Sequence, residues 1–255
     1  MPTTLRLILI GKTGNGKSTT GNCILGLEAF EQHSGLSSGT DKCGWKKVSA
    51  DTLVLEVTDT PGVCDTHKVP GEVEREIAKC VATMVPGPDA ILFVVRGRDR
   101  FTKEEFEAFQ NLKSVFGKEM TKYMILVLTR ITEQEFKDAQ QNTQRPLPPN
   151  LVRVMREAGE RCVCFSEDKS KFCKNMEREA LIKSVLNLKT QNKDCYSNEL
   201  VKKFDDEITA TAQKTGTTVD DLKEKIVEEK DEGLISRIWN FVPRVLTGND
   251  YCVVM

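Results

Sequence analysis

The run GKTGNGKS, Gly11 to Ser18, fits the spacing G-x-x-x-x-G-K-[S/T], with an apolar strand-like stretch before it and a helix-like stretch after it. Glycine serves where a backbone must turn tightly or approach a ligand closely. A triphosphate needs many donors at short range, and backbone N–H groups converge on it only where side chains leave room. A helix opening near Gly16 would add its positive end to the same place. Lys17 would then reach the β- and γ-phosphates, and the Ser18 hydroxyl would ligate Mg²⁺. Gly11, Lys12, Thr13, Gly14, Asn15, Gly16, Lys17, Ser18 and Thr19 together read as a phosphate cradle.

A second constellation lies in LVLEVTDTPG, where Asp59 ends a strand and Gly62 follows it. An aspartate there, beside a phosphate loop, can hold Mg²⁺ through a water. The Gly62 N–H would sense a γ-phosphate, making the next loop a switch. Thr40, in the polar stretch HSGLSSGTDKC, would complete the Mg²⁺ shell when triphosphate is bound.

The elements that must position these groups follow an α/β pattern. Apolar runs at Leu5–Ile10, Leu53–Val57, Ala90–Val95 and Tyr123–Leu128 are short, rich in Ile, Val and Leu, and separated by charged or helical segments. That is the signature of buried parallel strands. RCVCF at 161–165 reads as a further strand, and CGWKKVSA at 43–50 alternates as an edge strand should. Helices are expected at Ser18–Leu27, at 71–85 and over FTKEEFEAFQNLKSVFG. The last carries a stripe of Phe101, Phe106, Phe109, Leu112, Val115 and Phe116, a Thr102–Glu105 capping box and a terminal Gly117. RPLPPN at 145–150 breaks the chain, and Asn175–Leu188 closes the sheet domain.

Composition narrows the class. The 255 residues carry a formal net charge of -1, with 39% hydrophobic and 29% charged residues, as in an ordinary soluble globular protein. This balance, without basic clusters, argues against nucleic acid as a partner. No run approaches the roughly 18 apolar residues of a membrane span, and no signal peptide is visible. Nine cysteines then read as reduced cytoplasmic thiols. Zinc is a weak alternative, since Cys162, Cys164 and Cys173 lack CxxC spacing and the histidines are His33 and His67.

From about residue 190 the chain turns highly charged and reads as a solvated helical extension. The segment 234–246 is then strongly apolar, and the chain ends YCVVM, matching a C-a-a-X farnesylation signal at Cys252. One lipid anchors weakly. Segment 234–246, with Trp239 and Phe241 beside Arg237 and Arg244, would be a second membrane signal, or else it folds back as a core element. The expected organisation is a G domain over 1–190, a helical extension over 191–248 and a tail over 249–255.

GKTGNGKSTTGNCILG, DTPGVCDT and RFTKEE resemble the AIG-type (GIMAP, immunity-associated nucleotide-binding) GTPases, which sit among the paraseptin GTPases, over roughly residues 5–190. The resemblance implies a P-loop NTPase with a Ras-like G domain, GTP/GDP and Mg²⁺ as cofactors, and a homodimer formed face to face across nucleotide. It also implies a part in immune or cell-survival regulation. Thr40 falls at the family's switch threonine, and Arg100 matches an arginine that some members supply to the partner subunit. Val63 stands where Ras-like enzymes carry a water-positioning Gln, so hydrolysis should be slow alone; an arginine in trans would recover on the order of 10³-fold.

The base-reading motifs depart from the family. TRITE replaces TRKED, so that Arg130 is followed by Ile131 and the final carboxylate is Glu133; Phe165, Ser166 and Glu167 replace FNN. Arg130, Glu133 and Ser166 therefore mark the base side with its specificity open. Two readings stand, a GTPase acting as a dimerising switch or scaffold near a membrane, and a non-hydrolysing nucleotide-binding module with relaxed base choice.

Overall fold

Five short apolar runs and one alternating edge strand pair into one sheet. The computed structural model describes residues 2–31, 42–62, 72–168 and 170–240. The strands are β1 (Thr3–Ile10), β2 (Gly44–Ser49), β3 (Leu53–Asp59), β4 (Ala90–Arg96), β5 (Met124–Thr129) and β6 (Cys162–Phe165). Their order is β2-β3-β1-β4-β5-β6, with β2 antiparallel to β3 and every other pairing parallel. Central β5, MILVLT, is buried throughout, whereas edge strand β2 exposes part of its length. Thr40, Val63 and Cys252 lie outside the described residues.

The helices are α1 (Lys17–Leu25), α2 (Glu72–Thr83), α3 (Lys103–Phe116), α4 (Glu133–Gln141), α5 (Pro149–Glu157), α6 (Lys171–Asn192), α7 (Glu199–Thr215), α8 (Val219–Val227) and α9 (Glu232–Trp239). Side chains alternate across β1, so Leu5, Leu7 and Leu9 join Ile24, Leu181 and Val185 of α1 and α6 on one face. Ile8 and Ile10 join the opposite core with Val81 of α2, Phe109 of α3 and Val154 of α5. Parallel pairing brings the C-terminal ends of β1, β3, β4, β5 and β6 to one side of the sheet, where open α/β folds place ligands.

The expectation of a solvated extension after residue 190 is corrected. Helix α7 buries Val201, Phe204 and Ile208, α8 buries Leu222 and Ile226, and α9 buries Leu234, Ile235 and Ile238. All of them share one core with Ala78, Val81 and Ala82 of α2. Charge density misled because it averages over helix faces, while the buried stripes are only a few residues wide. Within 234–246, the described part of the segment therefore folds back onto the sheet domain.

Buried ion pairs pin these helices. Lys223 of α8, 2% exposed, donates to Glu56 of β3 at 2.9 Å and sits 5.4 Å from the centroid of the Trp45 ring. Lys79 of α2, fully buried, donates to Glu76 at 2.6 Å and to Glu229 at 2.5 Å, and Arg75 pairs with Glu232 at 2.6 Å. Among the described residues no helix is long and apolar enough to cross a membrane.

Two stability measurements check this packing. Phe204→Ala should cost about 3–5 kcal/mol in urea unfolding, as for a fully buried aromatic; a solvated helix would lose no more than about 0.5 kcal/mol. Lys223→Ala should cost about 3 kcal/mol by stranding the Glu56 carboxylate, and adding Glu56→Leu should recover part of that loss.

Candidate functional site

The phosphate loop joins β1 to α1. Gly16 caps α1 in a left-handed conformation, φ 96°, with no side-chain cap bond, and the positive end of the helix opens on the loop. Lys17 is 4% exposed and its ammonium bends back over the loop, 3.0 Å from Gly11 O and 3.3 Å from Lys12 O.

The loop's carbonyls are held from outside. Gly14 O accepts from Arg96 Nε at 3.0 Å and Nη2 at 2.8 Å, and Asn15 O accepts from Thr129 Oγ1 at 2.8 Å. A trans peptide is planar with its C=O and N–H opposed, so fixing the Asn15 carbonyl outward turns the Gly16 N–H towards the cradle. The Asn15 side chain is a strut: Nδ2 donates to Val94 O at 3.0 Å and to Glu105 Oε1 at 2.8 Å.

Beside Lys17 lies Asp59, fully buried. Ser18 Oγ donates to Asp59 Oδ2 at 2.6 Å, while Oδ1 is buried with no hydrogen-bond partner among the described residues. Burial pushes the Asp59 carboxyl up to about 6, against the pull of the Ser18 hydrogen bond and the Lys17 charge. A hydroxyl and a carboxylate with a spare buried oxygen form a donor set suited to a hard divalent cation. Gly62 closes the same corner, since a Cβ there would lie 1.6 Å from Thr13 Oγ1 and 2.7 Å from Thr13 N. Residues 11–19, 59 and 62 are thus brought together.

Arg130, Glu133 and Ser166, expected on the base side, share one end of the sheet because Thr129 pairs with Phe165. Each already has a protein partner. Glu133, exposed on the first turn of α4, pairs with Lys137 at 2.6 Å. Arg130, at φ 61°, lies 3.9 Å from Glu167. Ser166 donates both its backbone N–H and its hydroxyl to Glu177 Oε1, each at 2.6 Å. Arg98 reaches Glu135 at 2.7 Å and Glu167 at 3.2 Å. The Thr132 backbone bond and then the Arg98 guanidinium hold Glu135 down at about 2.

Arg100 is exposed, between β4 and α3. Arg96, Thr129, Glu105 and Glu177 are structural partners of the site that motif reading did not single out. Glu105 was visible as a cap residue, but its bond to Asn15, 90 positions away, has no local signature.

Comparison with known proteins agrees with this arrangement. Residues 5–215 match the AIG1 family. Immune-associated nucleotide-binding protein 10 of Arabidopsis thaliana is 32% identical over 207 residues, covering 79% of this chain and 44% of that protein. The chain spans about half the length of the curated relatives it matches first. Among solved structures, Toc33 from Arabidopsis thaliana in complex with GDP and Mg²⁺ aligns with TM-score 0.52 at 16% identity, covering 72% of this chain and 85% of that one. A structure of the chloroplast translocon components atToc33 and psToc159, for whose GTPase activity dimerization is important, aligns with TM-score 0.57 at 16% identity, covering 77% of this chain and 87% of that one. At these identities the structural likeness establishes a P-loop GTPase fold. With the family match running through most of the chain, the protein belongs to the AIG1 family.

Proposed function

We propose that the chain is a Mg²⁺-dependent guanine-nucleotide-binding protein that hydrolyses GTP slowly alone and faster as a homodimer. The observation that carries this reading is the unpartnered Asp59 Oδ1, buried beside Ser18 and Lys17 at the mouth of the phosphate loop. Lys17 would neutralise the β- and γ-phosphates, while Ser18, Asp59 and Thr40 would hold the metal. Bound Mg²⁺ supplies charge neutralisation on the transferring phosphoryl group. Gly62 would read the γ-phosphate through its N–H, and Arg100 would reach the γ-phosphate of the facing subunit. Toc33 in complex with GDP and Mg²⁺, and the importance of dimerization for GTPase activity in the translocon components, support the reading by likeness.

Of the expected extension over 191–248, the described helices α7, α8 and α9 pack on the expected G domain of 1–190. Helix α2 begins at Glu72, ten positions after Gly62, and packs on α7, α8 and α9. A triphosphate that shifts α2 would therefore strain the Lys79–Glu229 and Arg75–Glu232 pairs and loosen the extension. Farnesylation of Cys252 would give a weak hold on a membrane from the cytosolic face. By family resemblance such a switch would act in immune or cell-survival regulation.

A second reading, a nucleotide-binding module without turnover and with relaxed base choice, is favoured by the protein partners already on Ser166 and Glu133.

Lys17→Ala should weaken fluorescent GDP by roughly 100-fold or more, the scale of removing a desolvated charge partner; retained affinity would sink the site assignment. Displacement by GDP and not by ADP supports a guanine nucleotide as ligand, and equal displacement supports the second reading. Single-turnover GTP hydrolysis should rise steeply with protein concentration and fall by about 10³-fold in Arg100→Ala. A flat, near-zero rate unchanged by that substitution would mean the nucleotide is a structural prop.

A further inference from the structure

Glu105 is 6% exposed on the first turn of α3, and its two oxygens have different partners. Oε2 accepts the Thr102 N–H at 2.9 Å while the Thr102 hydroxyl accepts the Glu105 N–H at 3.2 Å, which completes the capping box. A capping box needs only one carboxylate oxygen. The other, Oε1, accepts Asn15 Nδ2 from the phosphate loop at 2.8 Å. This is a charge-assisted bond in a buried setting, the stronger class of hydrogen bond.

The far end of the same segment is also tied to the loop, through the Arg96 fork on Gly14 O. Arg100 thus lies on a short arm whose two ends are bonded to consecutive residues of the phosphate loop, Gly14 at one end and Asn15 at the other. Its own side chain stands exposed between them. Any rearrangement of Gly14 and Asn15 on binding phosphates is transmitted to both ends of the arm.

We propose that Glu105 is a positioning residue that couples the phosphate loop to the segment 96–102, so that nucleotide in one subunit sets the reach of its Arg100 towards the other. The inference rests on the reading of Arg100 as a group supplied in trans. Displacing a reacting group by about 1 Å costs on the order of 10²-fold in rate, so one lost link at the base of the arm suffices to matter.

Glu105→Gln isolates the link in the full chain. The amide keeps one acceptor oxygen for the cap, but its NH₂ then faces a donor, so the Thr102 and Asn15 bonds are not both kept. Two readouts follow: hydrogen exchange of the 97–105 backbone amides with and without GDP and Mg²⁺, and single-turnover hydrolysis against protein concentration. The expected result, with GDP or GTP saturating for both proteins, is GDP-induced protection of 97–105 in the wild type that Glu105→Gln abolishes, and a concentration-dependent rate reduced by about 10²-fold. Adding Arg100→Ala to Glu105→Gln should cost no more than Arg100→Ala alone.

Equal GDP protection in both proteins, or fully additive losses in the double variant, would overturn the coupling. Lost protection together with a wild-type rate flat in concentration would uphold the coupling and overturn only the reading of Arg100. If Glu105→Gln lowers the melting temperature by more than about 5 °C, Glu105→Asp, too short to bridge both partners, takes its place in the same two measurements.

Discussion

A loop that offers its N–H groups to an anion must first dispose of its carbonyls, and the rest of the site depends on how this is done. Arg96 takes the Gly14 carbonyl, Thr129 takes the Asn15 carbonyl, and Lys17 lies across those of Gly11 and Lys12. These partners come from β4, β5 and α1, and the Asn15 side chain adds α3 through Glu105. The cradle is therefore a property of the assembled sheet. In water the same carbonyls would be solvated, and nothing would orient the peptide units in one direction.

The metal corner extends the same logic. Asp59 is buried at the end of β3, and burial alone disfavours its charged form. One oxygen is matched by Ser18 and the other is left over. Leaving a buried acceptor unsatisfied costs about 1–3 kcal/mol, a cost that a cation bound beside Ser18 would remove.

Helix α2 carries two obligations at once. It begins ten positions after Gly62, and its apolar face packs into the core shared with α7, α8 and α9. Lys79 sits fully buried between Glu76 and Glu229, and Glu76 also accepts the Cys43 N–H at 2.6 Å, from the residue that leads into β2. Breaking one member of such a set strands a charge in low dielectric, so the set moves as a unit or holds as a unit. The C-terminal helices are in this way linked to α2 and, through Glu76, to Cys43.

By itself the sequence determined the phosphate loop, the five-strand apolar pattern with its edge strand, the capping box at Thr102 and the place of Asp59 at a strand end. Each is a local property, legible because spacing and hydrophobic period constrain neighbours in the chain. The tertiary structure alone decided three other things. It showed that the charged helices after residue 190 bury Phe204, Ile226 and Ile235 against α2. It gave Ser166 to Glu177 beyond the C-terminal end of β6. It joined Asn15 to Glu105 and Gly14 to Arg96. These are bonds between residues far apart in the chain, and their energy exists only once parallel pairing has brought the strand ends to one side, so no local period or motif could carry them.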